Sequence, residues 1–414
     1  MLSLPLASVT AQSNKVSPRV QDKTLKSLYE AQEWFRLRDE VQKSVSSIFY
    51  RGAVAAAFND FTDAEKNLKL VIRTTPGSDE AHDAHLLLTQ IYLRAGLYQQ
   101  ALNEVDAMLK SKPDDGNLKN VQAFLSSISI VPAQTVTSRR FTRIRYTMKD
   151  GNLFLPVTVN EKTGNYLLDT GANYSLISES EARRLGLTIT GSRDATMGDS
   201  SGANVGFRLA VADRLTVGNL RLRHVVFLVM RDDQQPFVDL PEGQRGIIGF
   251  PVILAFQTMR WNQKGVFEFG FAHGERKLAA ANMYFDGQKI MAEGEFRKRR
   301  ISLFVDTGAI HTRGLPRFAH EFSDFVNELG TKSSQRVTGV GNSVEVDSLT
   351  LPQLPLRIKG QEIVLSPASV LLKNTASDLE RCHVWIGIDF LNHASTVTLD
   401  FKAMTLVLGE STGR

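Results

Sequence analysis

The sequence predicts a multidomain α and β protein, with an α-helical repeat region followed by an all-β region of two lobes. Three observations carry this. Residues 24–130 place apolar side chains at helical spacing. From about residue 140 the apolar runs become short, β-branched or aromatic, and are broken by Gly, Asp and Asn turns. Within that β region one hexapeptide pattern occurs twice, as Leu167-Leu168-Asp169-Thr170-Gly171-Ala172 and Phe304-Val305-Asp306-Thr307-Gly308-Ala309, 137 positions apart.

Bulk properties narrow the field before any motif does. The 414 residues suffice for two or three domains. No apolar run approaches the ~20 residues that span a bilayer, so no transmembrane segment is expected. The net charge of +5 is as well explained by a solvated surface as by an acidic partner. Basic and aromatic residues are not interleaved, so nucleic acid is not an expected partner. The single cysteine, Cys382, permits neither an internal disulfide nor a Cys-rich metal site. Residues 1–20 read as a signal-like or disordered segment: an apolar stretch precedes small residues, but no Lys or Arg precedes it. The signal-like reading points to a periplasmic or secreted location over a cytoplasmic one.

A helical region is expected over 21–130. Leu25, Leu28, Trp34, Phe35, Val41 and Val45 fall largely on one helix face. Residues 61–76 then match residues 98–113 at an offset of 37, pairing Phe61 with Tyr98, Ala64 with Ala101, Leu68 with Val105, Ile72 with Leu109 and Pro76 with Pro113. Small residues let paired helices approach, and Pro cannot continue a helix. The pattern resembles the tetratricopeptide repeat; a generic helical bundle is the alternative. Repeat arrays make concave peptide-binding surfaces, which implies a protein partner for this region. Residues 131–140 read as a linker.

The β region divides into units at 141–275 and 276–414. In each, the Asp is followed by a Gly-bearing loop (Gly198 and Gly202; Gly339 and Gly341), a strand pair, and a hydrophobic-hydrophobic-Gly strand (Ile247-Ile248-Gly249; Trp385-Ile386-Gly387). Asp169 lies 80 residues before Gly249, and Asp306 lies 81 before Gly387. Six positions after each Asp stands a hydroxyl residue, Ser175 or Thr312. Similar elements in one order at one spacing indicate two copies of one β unit.

On these motifs residues ~140–410 resemble the aspartic protease family in its retropepsin-like form, with both units in one chain as in pepsin-like members. The resemblance implies two β-barrel lobes that each supply one catalytic Asp, Asp169 and Asp306. It implies that Thr170 and Thr307 bond across to the opposite lobe, and that Gly171, Ala172, Gly308 and Ala309 complete the active-site loops. Gly198, Gly202, Gly339 and Gly341 would form flaps, while Ile248, Gly249, Ile386 and Gly387 support the loops from beneath. The expected activity is aspartic endopeptidase action on a protein or peptide substrate, with no metal and no cofactor. Two carboxyls in contact share one proton, and the ionised member activates a water for attack on the peptide carbonyl. Ala172 and Ala309 stand where many acid-acting members carry a hydroxyl donor, so the dyad is expected to work at mildly acidic to neutral pH. The segment 195–207 has no Tyr, unlike pepsin-like flaps.

Other features receive plainer readings. Arg313, a cation close after the second motif, would depress the dyad's pKa values or block the cleft if it turned inward. Asp389 is expected to form a turn. Arg297-Lys298-Arg299-Arg300 is expected as an exposed hairpin turn. His82 and His85 lack a third ligand and are expected to cap or be solvated. The runner-up functions are a catalytically inactive peptide-binding module and an adaptor acting through the helical repeats.

Overall fold

The computed structural model describes residues 18–43, 47–191, 196–198, 201, 204–272, 277–339, 341, 343–375 and 379–410. Most of the signal-like start, and Val45, lie outside them.

Helices run over Pro18–Glu30, Trp34–Gln42, Ile48–Ala57, Phe61–Thr74, Asp79–Ala95, Tyr98–Ser111 and Gly116–Ile128. Their ends follow from local chemistry. The side chains of Ser47, Asp60, Ser78 and Asp115 accept bonds from first-turn amides. Gly96, at φ +71°, closes Asp79–Ala95 in the left-handed conformation. The two aligned repeat helices begin at Phe61 and Tyr98, and Ala64 and Ala101 are fully buried. A Cβ on Gly52 would come within 2.9 Å of the Leu68 side chain, so small residues do set the helix spacing.

The helical region is bound to the β region by buried polar contacts. Arg38 Nη1 donates to the carbonyls of Leu278 and Ala281 at 3.0 and 3.1 Å. Arg94 donates to the carbonyls of Gly287 and Ala56 at 2.5 and 2.7 Å, and its guanidinium lies 4.5 Å from the Phe285 ring centroid. Burial pulls the Arg94 pKa down to about 9, against the attraction of Asp286. Asn59 donates to the carbonyl of Phe401 at 2.7 Å. Phe124 packs edge-on against Tyr174 and Phe207, so the helices touch both halves of the β region.

The β region contains two large sheets with the same central motif. In the first, Lys162–Leu168 runs parallel to Gly246–Ile248, which runs antiparallel to Ser175–Ser178. In the second, Arg299–Val305 runs parallel to Val384–Ile386, which runs antiparallel to Arg313–Gly314. The central strands Gly246–Ile248 and Val384–Ile386 are buried along their whole length, as apolar runs covered on both faces are. A five-stranded sheet joins the halves, in the order Thr142–Arg145, Val266–Phe269, Thr258–Asn262, Thr396–Asp400, Thr405–Leu408. The C-terminal hairpin therefore pairs with strands from before residue 275, Leu399 opposite Met259. Within the segment read as linker, Thr135–Ser138 is a strand paired with Leu220–Met230. Its Thr and Val residues suit a sheet edge better than a free connection. Arg297 and Lys298 sit at φ +47° and +62° in the turn joining Lys289–Phe296 to Arg299–Val305.

Candidate active site

Each Asp ends a buried strand and opens a tight loop. Asp169 Oδ1 accepts from the amides of Gly171 and Ala172 at 2.8 and 3.1 Å. Asp306 Oδ1 accepts from those of Gly308 and Ala309 at 2.8 and 3.2 Å. The repeated Gly has a spatial cause. A Cβ on Gly171 would stand 2.6 Å from the Asp306 carboxylate, and one on Gly308 would stand 2.5 Å from the Asp169 carboxylate oxygens. Each glycine is thus the floor on which the other half's carboxylate rests, and neither has a positive φ.

The threonines join the two loops reciprocally. Thr170 N donates to Thr307 Oγ1 at 3.0 Å, and Thr307 N donates to Thr170 Oγ1 at 3.0 Å. The hydroxyls donate onward, Thr170 to the Val305 carbonyl at 2.9 Å and Thr307 to the Leu168 carbonyl at 2.6 Å. Both threonines are fully buried. Beneath each loop passes the hydrophobic-hydrophobic-Gly strand. A Cβ on Gly249 would meet the Ala172 carbonyl at 2.6 Å, and one on Gly387 would meet that of Ala309 at 2.7 Å. The amides of these glycines donate to Ser175 Oγ at 3.2 Å and Thr312 Oγ1 at 2.8 Å, which accounts for the matched hydroxyl in both halves. Ile248 pairs with Leu168, and Ile386 with Val305.

The two carboxyls face each other, each seated over the opposite half's glycine, and each shifts the other's pKa. Burial, then the facing Asp306, pushes the Asp169 pKa well above the usual carboxylate range. Burial also raises Asp306, but bonds from Asp169, from Trp385 and from the amides of Gly308 and Ala309 pull it back. Trp385 Nε1 donates to Asp306 Oδ2 at 2.8 Å. Its counterpart in the first half is Ile247, which has no donor. Sequence reading placed the Trp385 strand beneath the loop and missed this bond. The one signal was the mismatch of indole and aliphatic two positions before the matched glycines.

The hairpin Thr196–Gly198 with Asn204–Gly206 carries Gly198; Gly202 lies outside the described residues. The hairpin Thr331–Thr338 with Ser343–Leu351 flanks Gly339 and Gly341. Gly341, at φ +113°, donates its amide to the Gln235 carbonyl at 2.9 Å, and a Cβ there would stand 3.0 Å from Val205. The two hairpins thus meet each other. Asp389 lies off the dyad: it accepts from Thr312 N, Thr312 Oγ1 and Phe390 N at 2.9, 2.6 and 2.7 Å, as a turn residue does. Arg313 is turned inward and only 8% exposed.

The aspartyl protease family profile matches residues 155–252, and the tetratricopeptide repeat profile matches residues 55–125. The chain carries an aspartyl-protease-type β region behind tetratricopeptide repeats. The first match covers the half that bears Asp169; the half that bears Asp306 stands on the duplicated motifs and geometry described above. Among solved structures, the basic 7S globulin from soybean is 11% identical, covers 63% of this chain and 92% of its own, and gives a TM-score of 0.36. A retropepsin-like aspartic protease from Rickettsia conorii is 16% identical, covers 33% of this chain and 94% of its own, and gives a TM-score of 0.25. No curated protein matches the chain.

Proposed function

We propose that the protease-type region is an aspartic endopeptidase in which Asp169 holds the shared proton and Asp306 is the ionised base. The observation that carries this reading is the pair of carboxyls, one from each half, that face each other over reciprocally bonded loops. Asp306 has the donors that favour an anion, two amides and the Trp385 indole. Asp169 lacks the third of these and faces that anion, so the proton resides with it. In the reaction Asp306 takes a proton from a water, and the oxygen of that water bonds to the peptide carbonyl carbon. Asp169 donates its proton to the carbonyl oxygen as negative charge develops there; the adduct then collapses, the C–N bond breaks, Asp306 passes its proton to the leaving nitrogen and a hydroxyl proton of the adduct returns to Asp169. The substrate lies as an extended strand between the dyad and the hairpins, bound through main-chain hydrogen bonds. The helical repeats serve to dock the protein that is cut or a partner that presents it.

The test is hydrolysis of a mixed peptide library by the full chain between pH 3 and 8, beside Asp169→Asn and Asp306→Asn. Turnover in wild type that vanishes in both variants supports the dyad. Peptide binding without turnover at any pH would replace this reading with that of an inactive clamp.

A further inference from the structure

We infer that Arg313 builds a subsite for an acidic substrate side chain, Asp or Glu, in the second-half wall of the cleft. The inference deepens the protease reading and rests on it.

The position of Arg313 follows from register. It lies directly opposite Trp385 in an antiparallel pair, and side chains of such a pair share one face of the sheet. The Trp385 side chain on that face reaches Asp306, so the face looks onto the dyad. In the first half the same two positions are Leu176 and Ile247, an ordinary apolar pair. A cation has therefore been placed where the fold tolerates an aliphatic residue. On its other side Arg313 reaches the flap strand, since its Nη2 donates to the Arg336 carbonyl at 3.3 Å. The guanidinium thus lies between the hairpin and the loop that follows Asp306, where an extended substrate would pass.

Its bonding is incomplete. Among the described residues both of its hydrogen bonds go to carbonyls, those of His311 and Arg336, each at 3.3 Å, and Nε has no partner. Arg313 makes no ion pair among those residues. A buried cation whose donors reach no carboxylate directly is incompletely compensated for its lost hydration. The carboxylates that attract it are Asp389 and Asp306. Asp389 is committed to Thr312 and Phe390, and Asp306 to Trp385 and two amides. Among the described residues no further carboxylate acts on Arg313, which leaves the substrate as the source of one. A guanidinium offers a planar fork that matches a carboxylate in two parallel bonds, so Asp or Glu is selected over Gln or Asn of the same shape.

The experiment uses the full chain and a peptide cut by it, with Glu, Gln and Leu placed in turn at each position around the scissile bond. Within each protein, kcat/KM for Glu is divided by that for Gln, so that overall activity drops out. At one position wild type should prefer Glu by about 10-fold to 100-fold, the worth of a charge-assisted hydrogen bond. Arg313→Leu should abolish that preference, and Arg313→Lys should keep part of it. Wild type that cuts peptides without favouring Glu anywhere overturns the subsite, however the variants fold. So does an unchanged Glu preference in Arg313→Leu. A shifted pH profile with no change in preference would likewise overturn it, leaving the cation as a support for Asp306 alone. If wild type cuts nothing, the protease reading has failed separately. The subsite is then read from fluorescence-polarisation binding of the same Glu and Gln peptides, where equal affinity overturns it and tighter binding of Glu upholds it.

Discussion

The two halves of the β region place their backbones alike and their chemistry differently. Around Asp169 the wall is Leu176 opposite Ile247. Around Asp306 the wall is Arg313 opposite Trp385. The loops themselves are near copies, with each Asp holding two amides and each Thr holding the other's loop. What must be built twice is the frame that brings two carboxyls together. What may differ is whatever decides which carboxyl is charged and what sits beside it.

The largest test asks whether the halves are equal in catalysis. Asp169→Asn and Asp306→Asn should each lower kcat/KM by on the order of 10³-fold or more, since general acid and general base are both required. A loss confined to one variant would break the pairing. The next test asks whether they are equal in architecture. Thr170→Val and Thr307→Val each leave buried groups unbonded across the junction and should each cost about 2 kcal/mol in chemical denaturation. Costs that differ several-fold would show one threonine to be the main tie.

Two smaller effects should be unequal. Trp385→Phe removes a donor to the Asp306 carboxylate, so its pKa rises and the acid limb of the kcat/KM profile moves to higher pH. Ile247→Val, at the matched site, should leave that limb where it is. Asp169 has a raised folded-state pKa, so its contribution to stability is present below the ordinary carboxylate range and fades as pH rises through the raised value. Asp169→Asn should therefore melt about 2 °C above wild type at pH 7 and lose that advantage toward pH 3, by thermal scans.

The frame was legible in the sequence because it is periodic and duplicated. The matched spacing from Asp to Gly reflects one strand passing beneath one loop, twice. The helical repeat was legible because Ala64 and Ala101 must be small to be buried. The asymmetry was harder to read. Arg313 stands in sequence like any surface cation, and only its register against Trp385 reveals the face it occupies. The docking of the helices was hidden for a similar reason. Arg38 and Arg94 are bonded to carbonyls 240 and 193 positions away, and a carbonyl has no sequence signature. Thr135–Ser138 read as linker because its partner strand lies far along the chain.

The reciprocal threonines carry one more consequence. A contact in which each member gives the other what it receives is isologous, the kind that two identical chains make across a two-fold axis. In such a dimer every substitution appears on both sides, so neither carboxyl can be given a private neighbour. Joining the two copies in one chain removes that obligation. The indole and the guanidinium beside Asp306 could then arise without being mirrored beside Asp169, and a symmetric lock came to hold an asymmetric key.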